Sequence, residues 1–485
     1  MEILLVIPPR FPYGQRRLSV GRIQRCESID QTQCLPPIDF LYSSALLKQK
    51  GHQVVFIDAN AEDLTFGELK ERMARVEFDL MVQKSALNIS DFDLKVAAIA
   101  KQIRPGCVTL SRSLATLGVE DYFLSRHPDL DGFLFGEPEA VLPEVAATLA
   151  GGGRLEDVPG LSLRGGRTST SQAYVEDLDS LPLPDFRVAN LWKYWSGGPE
   201  WAPLWLVWSS RGCPFNCKFC VIGGNRFPFP YRTRSAKKVV EELEVLADMG
   251  VDKFCMFDET FLIPPHAQEV CQEIVQRGLN KKLWWYCNGK LDIVTEEMVA
   301  LAAEAGCNEI SFGIETADPR LLNAARKRSQ IDRIKEIWSW QDKYGVRFCA
   351  SFVIGLPGEN EESVALTKRL IRDLRIEAAF FSLFTPYPCT VAYEEACQLG
   401  KIEVEGFEAY DQFDPRAPVM QTEAFNRIEL RKIQKEYYRL LFKNRAYMFL
   451  KGFYHHPGQN LRRLPDVVRA IRKYIALYRD PIYLR

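Results

Sequence analysis

The sequence predicts an α/β protein in three parts: an N-terminal doubly wound (Rossmann-like) parallel sheet, then a partial (β/α)6 barrel, then an α-helical C-terminal extension. Three observations carry this reading. Over the first 150 residues, short apolar runs alternate with amphipathic stretches, the pattern of buried parallel strands joined by helices. The alternation resumes at Leu204 and repeats six times. Residues 421–485 then change character, with 15 Lys+Arg against 5 Asp+Glu and eleven aromatics from Phe425 to Tyr483.

Ile3–Ile7 is a wholly apolar strand, and residues 39–50 form a helix with Asp39 near its start and Gly51 just beyond its end. Val54–Ile57 is the next strand, closed by Asp58. A helix over Leu69–Val76, a strand at Leu80–Val82, a helix over Asp93–Ile103 and strands at Val108–Leu110 and Phe133–Phe135 complete the first domain, 1–150. Its ligand is expected at the carboxyl ends of the strands. Residues 151–203 are broken by Pro and Gly (GGGR, VPGL, LPLPDF) and read as a connector. The second domain, 204–395, places strands near 205–209, 253–257, 283–287, 308–314, 347–354 and 380–384. Helices lie between them, among them 235–249, with Ser235 as cap and Gly250 as terminator. Residues 396–485 form the helical extension.

The 485 residues carry a net charge of −1, divided into −11 over 1–420 and +10 over 421–485. Near-neutral balance argues against a whole-protein nucleic-acid binder. No apolar run reaches the ~18 residues of a membrane span, and MEILLVIPP is not a secretory leader. The expected compartment is the cytoplasm, where 13 cysteines indicate thiols or metal ligands rather than disulfides.

One motif carries chemistry. Residues 211–221 read RGCPFNCKFCV, with thiols at Cys213, Cys217 and Cys220 spaced C-x3-C-x2-C just after a predicted strand. Thiolates this close select zinc or an iron–sulfur cluster. Structural zinc wants four ligands, and no fourth Cys or His occurs within thirty residues after Cys220. Three ligands leave one metal position open.

With Phe219 before its last Cys, the triplet resembles the signature of the radical S-adenosylmethionine (SAM) superfamily. The resemblance covers about 204–395 and includes MFDETF at 256–261, SFGIET at 311–316, FVIGLPGE at 352–359 and FTPYPCT at 384–390. It implies a [4Fe–4S] cluster on the three thiolates, SAM on the fourth iron, and cleavage to a 5′-deoxyadenosyl radical. It also implies SAM contacts at Phe219, Asp258, Glu259, Asn288, Glu315 and Gly355, and an external electron donor such as flavodoxin or ferredoxin. Independently of it, a buried carboxylate at Glu315 calls for a ligand or an ion partner. Cys255, Cys271, Cys287, Cys307 and Cys349 read as small buried hydrophobes. Cys389, at a predicted strand end, reads as an inert thiol.

The first domain resembles the cobalamin-binding domain fused to many radical SAM proteins, through VIPPR at 6–10, IDAN at 57–60 and FGEPE at 135–139. This implies cobalamin contacts at Pro9, Asp58, Ser111, Ser113, Gly136 and Glu137. Two departures stand out: no Asp-x-His-x-x-Gly supplies a cobalt ligand, and the loop after the fourth strand, 110–116, lacks the family's two glycines. The resemblance thus implies a cobalamin-dependent radical SAM methyltransferase acting on an unactivated carbon of a small-molecule or lipid-like substrate. One alternative is a radical SAM cyclase, oxidoreductase or rearrangement enzyme without methyl transfer. Another is a zinc- or cluster-stabilised RNA-binding protein. The basic tail is expected to pack on the barrel and partly cover the substrate, with peripheral contact to an anionic membrane as a further use. His455-His456 reads as a solvated turn.

Overall fold

The computed structural model describes all residues except 14–15, 24–25, 31–32, 167–172, 197–201, 226–228, 329, 400, 411–417 and 456–485. The tail's last thirty residues, His456 among them, lie outside the described set. The chain divides into two compact units: 1–288 with 300–308 and 386–395, and 289–299 with 309–385 and 396–485.

The first unit opens with β1 (Glu2–Ile7), α1 (Ile38–Gln49), β2 (Gln53–Asp58), α2 (Phe66–Met73), β3 (Leu80–Lys84), α3 (Lys95–Ile103), β4 (Val108–Arg112), α4 (Glu120–Arg126), β5 (Gly132–Leu134), α5 (Pro138–Ala150) and β6 (Leu161–Leu163). The sheet order is β6-β5-β4-β3-β1-β2. Strands β1 to β5 are parallel and β6 adds antiparallel to β5. This is the doubly wound order that reverses between β1 and β3. The apolar runs form the core because both faces of a parallel sheet are covered: Ile3, Leu5, Leu80, Val82, Leu110 and Leu134 pack with Phe40, Val141 and Val145.

Three features differ from the sequence reading. Phe11–Tyr13, Arg16–Ile23 and Cys26–Asp30 form an antiparallel ladder. FGEPE runs into a helix: Glu137 is its N-cap and Pro138 its first residue, where a missing N–H costs nothing. The connector also wraps the first domain. It supplies β6, and its Asp185 accepts from Ser44 and Lys48 of α1.

The same unit continues with β7 (Trp205–Val207), α6 (Ala236–Asp248), β8 (Lys253–Met256), α7 (His266–Gln276) and β9 (Trp284–Gly289), whose three strands pair in parallel. Ser235 caps α6 through the Lys238 N–H at 3.4 Å, as its sequence predicts. Cys255, Cys271, Cys287 and Cys307 are buried, and burial pushes the Cys271 and Cys287 thiols up, so they behave as hydrophobes. A polar knot ties α1 to α6: the Tyr42 hydroxyl donates to Glu242 at 2.6 Å, and Arg234 donates to Glu242 at 2.6 Å and to the Tyr42 oxygen at 3.0 Å.

The second unit holds β10 (Cys307–Glu315, its first two residues in the first unit), α8 (Ile331–Tyr344), β11 (Arg347–Ile354), α9 (Glu361–Asp373), β12 (Ala379–Leu383) and the long α10 (Arg427–His455). Its strands are parallel, in the order β10-β11-β12. The described part of the extension packs on the sheet: Gln434 donates to the Phe381 carbonyl at 2.8 Å, and Tyr437 and Tyr438 meet the Phe381 ring edge-on. Cys349 is buried, its thiol pushed up to about 12 by burial. No described helix is long and apolar enough to cross a membrane.

Arg234→Met leaves the fully buried Glu242 carboxylate without its cation. Breaking such a pair costs on the order of 3–5 kcal/mol, so the urea midpoint of the variant should fall well below wild type. An unchanged midpoint would show that the knot contributes nothing.

Candidate functional site

The three cysteines sit on a loop whose two ends are joined. Ser210–Arg211 pairs antiparallel with Arg232–Thr233, so the chain leaves β7, turns through the thiols and returns through its own exit. The loop is tightly wound: the Cys220 N–H donates to the Cys217 carbonyl at 3.1 Å, and the Gly224 N–H to the Cys220 carbonyl at 2.8 Å. Gly212 has φ +78°, and a Cβ there would lie 2.3 Å from the Pro230 carbonyl oxygen. One at Gly224 would lie 2.4 Å from that of Cys217. Neither position admits a side chain.

Cys213, Cys217 and Cys220 are half-buried and unbridged. Burial pushes the Cys213 thiol up to about 11 and raises that of Cys220, with Glu259 and the neighbouring thiols adding to the effect. Opposing it, the Phe215 N–H is directed at the Cys213 sulfur and those of Ile222 and Gly223 at the Cys220 sulfur. Two thiols that ionise with difficulty alone, with N–H donors aimed at their sulfurs, suit a bound metal centre, which deprotonates coordinating thiols outright. Among the described residues no group of three His, Cys, Asp or Glu side chains could hold a single metal ion. Thiolates that each take a different iron of a four-iron cube need no such convergence. Phe219 lies half-buried within the loop.

The acidic pair after β8 divides its work. Asp258 is fully buried and turned towards the loop's entry: it accepts from the Ser209 N–H at 2.7 Å, the Ser209 hydroxyl at 2.5 Å and the Ser210 hydroxyl at 2.6 Å. His266 adds a contact to the Ser209 hydroxyl at 2.9 Å, and burial lowers its pKa. Glu259 lines a cavity with Arg211, Gly212, Trp208, Ile222 and Glu139. Asn288 fixes the same segment, donating to the Asp258 carbonyl at 3.1 Å and accepting from the Phe261 N–H at 2.9 Å.

The first domain backs this loop directly. Leu114, from the loop after β4, packs with Ile222 and Phe229 against Cys213, Cys220 and Val221. The residues assigned to cobalamin by resemblance are placed as follows. Pro9 is buried after β1. Asp58 accepts from the Tyr194 hydroxyl at 2.9 Å and the Ala61 N–H at 2.8 Å. Ser111 shares a 2.8 Å hydrogen bond with Ser85, and the buried Ser113 hydroxyl has no hydrogen-bond partner among the described residues. Gly136 is closed over by the connector, since a Cβ there would meet the Ala173 carbonyl oxygen at 2.5 Å. Glu137 is held by Arg211, Arg232 and the Val175 N–H. The serines at the strand ends suit an amide-rich corrinoid, whereas Asp58, Gly136 and Glu137 are engaged by protein.

In the second unit, Glu315 ends β10 with φ +65°, a conformation that costs a non-glycine residue on the order of 1–3 kcal/mol. The ion partner its burial demanded is Lys327, which also donates to the Gly313 carbonyl at 2.8 Å. A Cβ at Gly313 would fall 2.4 Å from the Glu315 carboxylate and 2.6 Å from the Lys327 ammonium, so this glycine makes room for the pair. Gly355, φ +87°, donates its N–H to Glu359 at 2.5 Å, closing the GLPGE turn, and faces Leu430 of α10. Cys389, in the first unit, is fully buried. Sequence reasoning missed Ser209, Arg211, Glu139 and Lys327. For Arg211 and Ser209 the available signal was adjacency to the triplet. For Lys327 it was the unpaired acid itself.

With this geometry in place, residues 209–371 match the family model of the radical SAM superfamily. The chain therefore carries a radical SAM domain and is an enzyme; the class that this domain defines uses a [4Fe–4S] cluster and SAM as cofactors. An uncharacterised methyltransferase of Pyrococcus horikoshii is 28% identical over 487 aligned residues, spanning 99% of each chain. An anaerobic magnesium-protoporphyrin IX monomethyl ester cyclase of Rubrivivax gelatinosus is 29% identical over 428 residues, 85% of this chain and 75% of the relative. Among solved structures, the cobalamin-dependent radical SAM enzyme OxsB superposes with TM-score 0.71 at 14% identity, over 97% of this chain and 75% of its own. The radical SAM methyltransferase TsrM of Kitasatospora setae, solved with cobalamin and a [4Fe–4S] cluster, gives 0.68 at 16%, over 91% and 88%. The fold is therefore that of these two enzymes.

Burial raises the Glu359 pKa from 4.5 to about 7, against the Gly355 N–H, which lowers it. The folded chain thus keeps a proton that the unfolded chain releases, and stability is lost as pH rises from 4.5 through 7, by on the order of 3 kcal/mol. Urea midpoints at pH 5 and pH 8 should fall less with pH in Glu359→Gln than in wild type. Equal falls would assign the pH dependence elsewhere.

Proposed function

We propose that this chain is a cobalamin-dependent radical SAM methyltransferase that methylates an unactivated carbon of a small-molecule or lipid-like substrate. The observation that carries the reading is the contact of the first domain's strand-end loop with the cysteine loop through Leu114. A ligand at the carboxyl ends of the doubly wound sheet would face the thiolate loop. Support comes from the methyltransferase relative and from the fold shared with OxsB and TsrM. The working division is 1–150 for corrinoid, 151–203 as connector, 204–395 for radical chemistry and 396–485 as cover.

In this reading Cys213, Cys217 and Cys220 hold the cluster. The N–H groups of Phe215, Ile222 and Gly223 disperse negative charge on its sulfurs. Cluster and SAM, when bound, supply the hydrogen-abstracting radical, and cobalamin the methyl group. Asp258 acts through Ser209 and Ser210 to hold the loop's entry, and Glu259 presents a carboxylate for the amino group of SAM. Phe219 and Asn288 shape the same side. In the second unit, Glu315, held by Lys327, and Gly355 are the residues that the superfamily resemblance assigns to SAM. Ser111 and Ser113 offer hydroxyls to corrin amides, with Pro9 shaping the β1 loop. The electron donor is flavodoxin or ferredoxin, the compartment is the cytoplasm, and the basic extension provides contact with an anionic surface.

A radical cyclase without methyl transfer is the second reading. It is favoured by the bulk of Leu114 in a loop that lacks two glycines, and by the 29% identical cyclase relative.

Anaerobic reconstitution should give about four irons per chain, lost when all three cysteines become Ala. Stoichiometric zinc in their place would overturn the cluster assignment. With reductant and substrate, the protein should release 5′-deoxyadenosine and S-adenosylhomocysteine in similar amounts. Deoxyadenosine alone selects the cyclase class, and neither product rejects both readings.

A further inference from the structure

The cysteine loop is fastened to the first domain by a buried ionic clamp that none of its cofactor residues requires. Arg211 and Arg232 face each other across the two-residue ladder that closes the loop. Both reach the first turn of α5. Arg211 donates to Glu139 at 2.7 Å and lies 3.4 Å from Glu137, while Arg232 donates to both Glu137 oxygens, at 2.7 and 3.1 Å. The Arg211 guanidinium also lies 4.6 Å from the centre of the Trp208 ring and 5.5 Å from that of Tyr42 on α1. A planar ion held between two rings and two carboxylates has little freedom left. It sits two residues before Cys213, so any shift of Arg211 is passed to the first thiolate through a single glycine. Glu137 and Glu139 sit at the N-terminus of α5, directly after β5, so they report the position of the sheet's carboxyl end.

We infer that Arg211, through Glu139 and Glu137, is a positioning residue that sets the placement of the thiolate loop against the first domain, and so couples radical formation to methyl transfer. Arg211 and Glu139 are given no part in the chemistry itself; they act on the thiolate loop through the clamp. The inference rests on the methyltransferase reading only for its catalytic consequence. The clamp itself is a statement about loop rigidity. Transfer between two separately held cofactors needs a spacing kept to a fraction of an ångström, and an error of one ångström can cost a hundredfold in rate.

The test uses the full-length chain, wild type and Glu139→Gln. Arg211→Lys serves as the second variant, because it keeps the charge but cannot span both carboxylates. Amide hydrogen exchange over residues 209–224 should quicken at least tenfold in either variant, although residue 139 is 70 or more positions away in sequence. Exchange that changes only in the 138–150 helix overturns the clamp. In the reconstituted enzyme, iron content should stay at wild-type level while the ratio of S-adenosylhomocysteine to 5′-deoxyadenosine falls at least threefold. Parallel loss of both products would mark a merely structural ion pair and overturn the positioning role. Wild type that makes no S-adenosylhomocysteine would remove methyl transfer, and wild type without iron would remove the cluster. In both cases the exchange comparison still decides on the clamp.

Discussion

The first unit depends on how it manages buried charge beside the cysteine loop. Arg211, Glu137 and Glu139 are each at least nine-tenths buried. Taking such ions out of water costs several kcal/mol apiece, which only close and well-directed partners offset. Burial pushes Glu137 up, yet Arg211 and then Arg232 overcome it and hold the carboxyl below its ordinary range. Glu139, with Arg211 alone against burial and two acidic neighbours, is raised instead. Packings that separate these groups strand a charge in the interior. The ionic contact therefore contributes specificity of placement more than stability, and Tyr42, Glu242 and Arg234 repeat the device two residues beyond Arg232.

Local signals were legible in the sequence and distant partnerships were not. Strands such as Ile3–Ile7 and Leu80–Val82 announce themselves because a strand buried on both faces must be apolar throughout. The triplet is legible because its ligands lie within eight residues of one another. Arg211 and Glu139 are 72 residues apart, and nothing local to either names the other. The helix over 138–150, for which the sequence reading gave no element, contains two prolines. Pro138 fills the first helical position at no cost, whereas Pro143 lies inside the helix and forgoes one main-chain hydrogen bond, to the Glu139 carbonyl. The antiparallel ladder of 11–30 is polar and charged, without the apolar alternation that marks a half-buried strand.

The sequence also could not say which way a strand-end acid turns. Asp258 and Glu259 are adjacent, and successive residues leaving a strand point to opposite sides. One is taken up by Ser209 and Ser210, and the other lines the cavity beside the thiols. The same ambiguity held for FGEPE. Resemblance makes Gly136 and Glu137 cobalamin contacts, but the connector fills the space at Ala173, and the arginines of the cysteine loop take the carboxylate. A segment that looks like a ligand loop can equally be the place where two parts of a protein meet.

The strand-end carboxylates show four answers to one physical problem, and the answers sort by task. Asp258 is neutralised by three hydrogen-bond donors that leave it no freedom, which suits a residue that holds a loop. Glu137 has two arginines, which suits a joint. Glu315 has a flexible lysine and a strained backbone, an arrangement that keeps a charge available at a fixed point. Glu359 faces a single N–H and keeps its proton to about pH 7, which suits a turn that must stay shut. Rigid, multiply bonded acids serve architecture. The superfamily resemblance assigns Asp258, Glu259 and Glu315 alike to SAM; three hydrogen-bond donors already occupy Asp258, a lysine partners Glu315, and Glu259 lines the cavity beside the thiols.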